Sequence, residues 1–446
     1  MWCNRNDHDK AQTFLEESEE VYEDSADDKL GESDKDKMEA QYTLTLFYLA
    51  QVFGHLGDAQ KSADYCSLTL NRQLEANSYD KATWAQNAAQ LAGFYVRKQD
   101  WTSAGRCLSA AYIVFHHRPL PHGAPGVPES SGNDDDVAAN VELGLAKLYA
   151  EQLKIGRNDS LAGECADTPS SSSASSSLFP AVSTDNIASI DFSRLGYIPV
   201  AFEGAREVFN LAMQRYRVAL QYYVLDGFVT EHIDILIDLS QLYKHVSHFE
   251  SDSHRQCVMH RKRAKPLEPI LETLNPKAFE ALWKQIHYEL GDSYRAIMEI
   301  KKDNRRPFKK MEAVGQKAIK YYSGYIRAVE ESHSARTDSG RINGTEESAW
   351  LTARFCRART YNNIQHQPAP GEEVDVSPMK AALGEFESLL AYSNQHNLQS
   401  EGIFGPEHDL CQEMTELLPL KISSINAKAH SQSQPLARSN SGAELI

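Results

Sequence analysis

Apolar residues between positions 41 and 115 recur every three or four residues, which is the period of an α-helix with one buried face. Turn-forming residues interrupt the pattern and divide it into two pairs of helices. In each pair a small residue is followed by an aromatic residue one turn later, then by a turn and by a second small residue. These positions are Ala50, Phe53, Gly57 and Ser62 in the first pair, and Ala92, Tyr95, Asp100 and Ala104 in the second.

This repeated order is typical of tetratricopeptide-like helical hairpins, which must stack on neighbours to bury their apolar faces. Ala50 and Ala92 stand 42 positions apart, further than the roughly 34 residues of a standard repeat. We therefore predict an all-α fold, a right-handed α-solenoid of such hairpins in two subdomains. A plain helical bundle is the alternative, but it does not explain why the same order occurs twice.

Composition and periodicity divide the chain into seven predicted segments. We expect Asp136 to cap the linker helix, and Pro266 and Pro269 to bend or split a helix over 254–274. The segments are an acidic segment with a partial repeat helix (1–40), the repeats (41–115), a Pro/Gly loop (116–136), a linker helix (137–157), a Ser-rich disordered insertion (158–190), a C-terminal helical subdomain (191–426) and a disordered tail (427–446).

The acidic segment favours a solvated linker, because a run such as 23–28 cannot offset its ordering entropy by burial. Residues 11–18 nevertheless resemble the second helix of a hairpin, with Ala11 and Leu15 one turn apart. The first helix of that hairpin has no counterpart in the sequence. We therefore expect that upstream repeats are missing or that Met1 is not the natural start.

The net charge of −16 disfavours nucleic acid and points to a partner with a basic face. The sequence has no apolar run long enough for a bilayer and no signal region, so we expect a cytoplasmic protein without membrane insertion. Its seven cysteines are scattered without a CxxC pair, which favours reduced thiols packed among helices.

No phosphate-binding loop, nucleophile elbow or metalloprotease motif is present, so we predict no enzyme activity, no cofactor and no small-molecule substrate. His245, His248 and His254 lie within ten residues, but such histidines are more often packing or surface residues than metal ligands. The basic run 260–265 is interpreted as a solvated helix face, with a nuclear address or phosphate contact as the alternative.

A binding surface is the remaining candidate for function. The first helices of stacked hairpins line an inner face, where side chains that point away from the packing seam can contact a partner. Tyr48 and Gln51 lie one turn apart on such a face, and Gln86 and Gln90 fall in the equivalent helix of the next hairpin. Ordinary solvation of these side chains is the alternative.

Two separated blocks of sequence resemble the KIF-binding protein family, also called kinesin-binding protein. The resemblance covers residues 11–115 and 191–424. It is carried by segments that include 42–53 (YTLTLFYLAQVF), 107–111 (CLSAA), 226–233 (DGFVTEHI), 259–263 (MHRKR) and 417–421 (LLPLK).

The resemblance implies a helical solenoid in two subdomains whose concave surface binds kinesin motor domains and blocks their attachment to microtubules. The expected function is therefore a non-enzymatic, cytoplasmic and cytoskeleton-associated regulator of microtubule-based transport. A general scaffold that binds peptide tails is the alternative. The family contact positions that match are Tyr48, Gln51 and Gln73, whereas Gln90 stands where the family has a threonine.

Overall fold

The described residues of the computed structural model fold entirely into helices and short connections. They comprise residues 8–25, 32–117, 134–162, 178–182, 194–304, 308–334, 341–342, 344–364 and 374–433. Within these ranges there are fifteen α-helices and no β-strand, which confirms the all-α prediction. The chain divides after Phe249 into two compact units.

The first unit holds eight helices, and each contacts the next along the chain, as expected for stacked hairpins. The long α6 also reaches α4, α7 and α8. The helices are α1 (His8–Ser25), α2 (Glu32–Leu56), α3 (Ala59–Glu75), α4 (Lys81–Arg97), α5 (Trp101–His116), α6 (Asp134–Ala162), α7 (Phe202–Tyr222) and α8 (Val229–Phe249).

Aspartates fix where α3, α4 and α5 begin. Asp58, Asp80 and Asp100 each occupy the N-cap position and accept a hydrogen bond from the backbone N–H three residues later. Each carboxylate thereby satisfies an amide that the helix itself leaves unpaired. The turn between α2 and α3 passes through Gly57 at φ +85°, a conformation that a side chain disfavours. The two predicted hairpins, α2–α3 and α4–α5, are therefore confirmed.

The linker helix α6 starts earlier and ends later than predicted, at Asp134 and Ala162. Asp136 is consequently not its cap but a residue of the first turn, and it accepts a hydrogen bond from the Tyr223 hydroxyl over 3.0 Å. The buried Glu142 and Arg215 form an ion pair of 3.0 Å between α6 and α7. These contacts place α7 and α8 in the first unit, whereas the sequence assigned residues from 191 onward to a C-terminal subdomain.

The acidic N-terminal segment is more ordered than the predicted linker, because α1 continues to Ser25 and packs on α2. The rings of Tyr22 and Tyr42 stack with centroids 3.7 Å apart, and Ala11 is buried. The burial of aromatic rings and the packing of α1 on α2 thus offset the entropy cost of ordering this segment. The charge pattern alone does not indicate these contacts. Residues 26–31 lie outside the described residues.

The Ser-rich insertion was predicted to be disordered throughout 158–190, but α6 extends into it and residues 178–182 are described. Phe179 is buried against Trp84 of α4, with ring centroids 5.4 Å apart. Asn71 of α3 donates a side-chain hydrogen bond of 2.9 Å to the carbonyl oxygen of Leu178. The rest of the insertion and residues 118–133 of the Pro/Gly loop lie outside the described residues.

The second unit contains seven helices. A break at Pro266 splits the predicted helix over 254–274, as expected, whereas Pro269 lies in the first turn of the short helix that follows. The last helix runs on to Ser433, past the predicted start of the tail at 427, and residues 434–446 lie outside the described ones. The helices are α9 (Ser253–Ala264), α10 (Leu267–Thr273), α11 (Glu280–Asp303), α12 (Phe308–Ser334), α13 (Gly344–Asn363), α14 (Ser377–Gln395) and α15 (Gly405–Ser433).

The basic run 260–265 is only partly the solvated face that we predicted. His260 and Arg263 are buried. The Arg263 guanidinium lies 2.8 Å from the Asp292 carboxylate and 3.2 Å from that of Glu289, both on α11. The prediction was wrong for these two residues because α9 turns one side of the run toward acidic partners almost thirty residues away.

Among the described residues, no helix is both long enough and apolar enough to cross a lipid bilayer.

Candidate functional site

A groove of about 540 Å³ lies between the first helices of the two predicted hairpins, α2 and α4, with α3 at its base. We call it the α2–α4 groove. Each of its walls carries a side-chain amide, Gln51 on α2 and Gln90 on α4. Its lining consists of Phe47, Ala50, Gln51, Gly54, His55, Ser62, Cys66, Thr69, Leu70, Asn87 and Gln90.

A second groove, of about 300 Å³, lies between α4 and α6, and we call it the α4–α6 groove. It is lined by Gln86, Ala89 and Gln90 from α4 and by Val137, Asn140 and Val141 from α6. Because Gln90 borders both grooves, the two are neighbours, with Gln90 between them. The three helices α2, α4 and α6 therefore contribute to one continuous surface within the first unit.

Two hydrogen bonds fix the spacing of the helices around the α2–α4 groove. The Ser62 hydroxyl of α3 donates to the carbonyl oxygen of Ala50 in α2 over 2.7 Å. The buried Trp84 indole N–H of α4 donates to the carbonyl oxygen of Leu70 in α3 over 3.1 Å. Since both bonds join a side chain of one helix to the backbone of its neighbour, they hold the groove at a defined width.

The lining of the α2–α4 groove mixes polar and apolar side chains and contains no carboxylate, lysine or arginine. Its polar groups are the amides of Gln51, Asn87 and Gln90, hydroxyl groups, the His55 ring and the Cys66 thiol. Burial raises the pKa of Cys66 to about 11, so the thiol is neutral at pH 7. The groove can therefore donate and accept hydrogen bonds without the desolvation cost of a buried charge.

The structure brings together two of the four predicted contact residues. Gln51 and Gln90 line the same groove from opposite walls. Tyr48 is 39% exposed and lines neither groove, and its ring contacts that of Phe47 with centroids 5.7 Å apart. Gln73 is half-buried near the end of α3 and lines neither groove.

Asn87 and Asn140 were missed by sequence reasoning. Asn87 precedes Gln90 by one helical turn, so the same spacing argument that selected Gln86 could have found it. Asn140 offered no such signal, because the third wall of the surface, α6, was interpreted as a linker rather than as the first helix of another pair. Its place in the α4–α6 groove becomes visible only when α6 packs on α4.

The three nearby histidines do not converge. His245 is buried and its Nδ1 lies 3.2 Å from the Arg157 guanidinium, while His248 Nε2 lies 3.3 Å from the Ser160 hydroxyl. His254 belongs to α9 in the second unit. Across the described ranges, no group of three or more histidine, cysteine, aspartate or glutamate side chains has a geometry that could hold a metal ion.

Residues 82–425 of the chain match the family model described as "KIF-1 binding protein C terminal". The match begins in α4 and continues into α15, well over half of the chain. The chain belongs to the KIF-binding protein family. The family model starts after α2 and α3. The α4 wall of the α2–α4 groove, with Gln90, therefore lies within the match, and the α2 wall, with Gln51, lies before it.

Full-length relatives extend the family likeness over nearly the whole chain. The KIF-binding protein of Rattus norvegicus is 28% identical over 476 residues, covering 96% of this chain and 76% of the relative. That of Gallus gallus is 28% identical and covers 96% and 79%, and that of Drosophila melanogaster is 25% identical and covers 96% and 77%.

A solved structure of kinesin binding protein (KBP) also resembles this chain. It is 26% identical, the TM-score is 0.61, and the match covers 95% of this chain and 75% of the other. The arrangement of helices described above is therefore that of the KIF-binding protein family, and the relatives are named for binding rather than for catalysis.

Proposed function

We propose that this chain binds kinesin motor domains on the surface formed by α2, α4 and α6 and keeps those motors off microtubules. The observation that carries the proposal is a groove, in a member of the KIF-binding protein family, that lies between Gln51 and Gln90 and has apolar and amide side chains but no carboxylate, lysine or arginine in its lining. Its relatives are named for binding kinesins. The proposed role is that of a cytoplasmic, cytoskeleton-associated inhibitor without catalytic activity.

Charge and groove supply different parts of the interaction. A kinesin surface that meets acidic tubulin is basic, and the net charge of −16 attracts it over long range. The α2–α4 groove carries no carboxylate, so it acts at short range through amide hydrogen bonds and apolar contact. An amphipathic helix laid in a groove is a common mode of recognition, and we infer that a motor helix is the segment bound here.

Microtubule co-sedimentation tests the proposal. Purified full chain is added to a kinesin motor domain and microtubules, and the motor left in the supernatant is measured. We expect the wild type to release the motor from the pellet. The double variant Gln51→Ala with Gln90→Ala should need roughly thirtyfold more protein for the same release, because two hydrogen bonds of about 1 kcal/mol each are lost.

A glutamine outside the groove is the matched control. Gln41 lies on the same helix as Gln51 and is exposed, but it lines neither groove. We expect Gln41→Ala to inhibit like the wild type. Tyr48→Ala and Gln73→Ala, measured separately, test the two predicted contacts that lie outside the grooves.

Binding of isolated motor domains, compared with binding of kinesin tails, separates this function from that of a general scaffold for peptide tails. Retention of motor domains alone supports the proposal. Retention of kinesin tails but not of motor domains would overturn the proposed function. Full inhibition by the double Gln51 and Gln90 variant would overturn the assigned surface.

A further inference from the structure

A cleft of about 320 Å³ lies within the second unit, between α9, α11 and α12. We call it the basic cleft. All three helices contribute a cation to it, and its base is apolar. It is lined by Ser253, His254, Cys257 and Arg261 from α9, by Ile300, Lys301 and Asn304 at the end of α11, and by Lys310 from α12.

The cations of the basic cleft lack acidic partners. In the part of the chain that the structure describes, no carboxylate forms an ion pair with Arg261, Lys301 or Lys310. The Lys301 ammonium instead donates a hydrogen bond of 3.1 Å to the backbone carbonyl oxygen of Lys310. Three positive charges therefore meet in one cleft of a chain whose net charge is −16.

Two acidic residues of α11 lie outside the lining of the basic cleft. Asp292 pairs with both Arg263 and Arg295, at 2.8 Å each. Asp303, next to the cleft in sequence, lines a different cavity. Neither carboxylate lines the basic cleft or forms an ion pair with one of its three cations.

The nearest acidic group at the start of α9 is Asp252, which is also held in place. Its carboxylate accepts hydrogen bonds from the backbone N–H groups of His254 and Arg255, at 2.7 and 3.3 Å. Asp252 caps the helix and is not part of the cleft lining. These two amides are consequently occupied, and the charged groups that the cleft offers to an anion are its side chains.

The charged state of Lys301 is disfavoured in this setting. Burial, together with the positive charges of Arg261 and Lys310, lowers the pKa of its ammonium group. Like charges at close range repel, and a bound anion would reverse the sign of that interaction. Binding of an anion should therefore be electrostatically more favourable in the cleft than at three cations spread over a surface.

We propose that the basic cleft binds a compact ligand with several phosphate groups, of the inositol phosphate class. A phosphomonoester carries between one and two negative charges at pH 7, so two or three of them balance Arg261, Lys301 and Lys310. The Arg261 fork can take one phosphate with two hydrogen bonds, while the lysines act as point charges. A volume of about 320 Å³ falls at the lower end of small-molecule pockets.

Isothermal titration calorimetry on the full chain tests the site, with myo-inositol hexakisphosphate and inorganic phosphate as separate probes. We expect saturable binding of the hexakisphosphate and much weaker binding of inorganic phosphate. Arg261→Glu and Lys310→Glu should each weaken the dissociation constant at least tenfold. Both residues are exposed, so the variants should keep the wild-type thermal unfolding curve, recorded in parallel.

The adjacent Lys309 provides a control for net charge alone. It is exposed on α12 but does not line the cleft, so Lys309→Glu makes the same charge change one residue away. We expect this variant to weaken binding less than threefold. An equal loss for Lys309→Glu and Lys310→Glu would show a diffuse electrostatic attraction and would overturn the proposal.

Vesicles with and without phosphatidylinositol bisphosphate distinguish a lipid headgroup from a free ligand. Binding that requires the phosphorylated lipid and is lost in Lys310→Glu supports a headgroup as the source. Binding of the free hexakisphosphate alone supports a soluble ligand. The proposal fails when neither probe binds the wild type in a saturable manner. Inhibition of kinesin tests the other unit, so the two proposals can fail separately.

Discussion

The indole N–H of Trp84 donates a hydrogen bond of 3.1 Å to the carbonyl oxygen of Leu70. Both residues are 1% exposed, and the bond joins α4 to α3 beneath the α2–α4 groove. Phe179 packs edge-to-face against the Trp84 ring, with centroids 5.4 Å apart. The wall that carries Gln90 is therefore set in position by a contact that faces the interior.

Trp84→Phe tests this contact. The variant keeps an aromatic ring but loses the hydrogen bond and part of the packing, so we expect the free energy of unfolding to fall by about 1–2 kcal/mol. Urea denaturation of the two proteins measures the difference. Trp101→Phe is the comparison. Because Trp101 is only half-buried, its replacement should lower the free energy of unfolding by less. Equal losses for the two variants would contradict the role assigned to Trp84.

Gln99 adopts φ +60° in the turn before α5, a left-handed conformation that costs a residue with a side chain about 1–2 kcal/mol. Gln99→Gly removes this cost but adds backbone entropy to the unfolded state, so we expect a net gain of about 0.5–1 kcal/mol. Gln99→Ala retains the backbone strain and should give no gain. Thermal unfolding of the three proteins provides the measurement, and a stabilised alanine variant would refute the explanation.

Arg263 is a buried cation whose loss should be costly. Arg263→Met leaves Glu289 and Asp292 buried without that guanidinium, which typically costs about 3–5 kcal/mol. Arg261→Met changes the same residue type on the exposed side of α9 and should stay within about 0.5 kcal/mol of the wild type. Similar unfolding midpoints for the two variants would argue against the buried network.

Glu268 should make stability depend on pH. Burial raises the pKa of its carboxyl, but hydrogen bonds from Tyr294, Lys317 and Tyr321 outweigh burial and hold the pKa below its ordinary value of 4.5. A depressed pKa stabilises the folded state above pH 4.5, and this contribution is lost as the pH falls through the folded value.

The comparison variant for this effect is Glu268→Gln. Its deficit in unfolding free energy relative to the wild type should be constant from pH 7 to about 5.5 and should shrink below pH 4.5. Glu272→Gln, at an exposed position one turn along α10, provides the control. A Glu268→Gln deficit that grows on acidification would show that the sign is wrong.

Much of the fold could be predicted because local signals agree with packing. The periodic apolar residues of α2 to α5 and the aspartates at 58, 80 and 100 mark helices and their starts before any tertiary contact is known. Pro266 likewise marks the break between α9 and α10. In each case the residue acts on its own backbone or on a neighbour within a few positions.

The sequence-based predictions are wrong where a partner far along the chain determines whether a residue is buried or exposed. Arg263 belongs to a basic run that is typical of a solvated face, and its partners on α11 lie 26 and 29 residues away. Phe179 belongs to a Ser-rich stretch, yet it is buried against Trp84. Periodicity and composition carry no information about such pairs, so the sequence alone favours the wrong environment for both residues.

The candidate site shows the same division. Helical spacing was enough to select Gln51 and Gln90, because both lie on the exposed side of the first helix of a hairpin. It could not place Gln73, which belongs to α3 and lines neither groove, nor find Asn140, whose role depends on how α6 packs on α4. Tertiary packing decides which helices form one surface, and the spacing of residues along a single helix does not reveal it.

Photo-crosslinking tests the central proposal most directly. A photoreactive amino acid replaces Gln90, which borders both grooves, and in a second protein it replaces Gln41 outside them. After irradiation with a kinesin motor domain, crosslinked product is measured by gel and mass spectrometry. We expect a crosslink to the microtubule-facing side of the motor from position 90 and none from position 41. Equal labelling from both positions, or no labelling from position 90 while the motor is still inhibited, would contradict binding in the grooves.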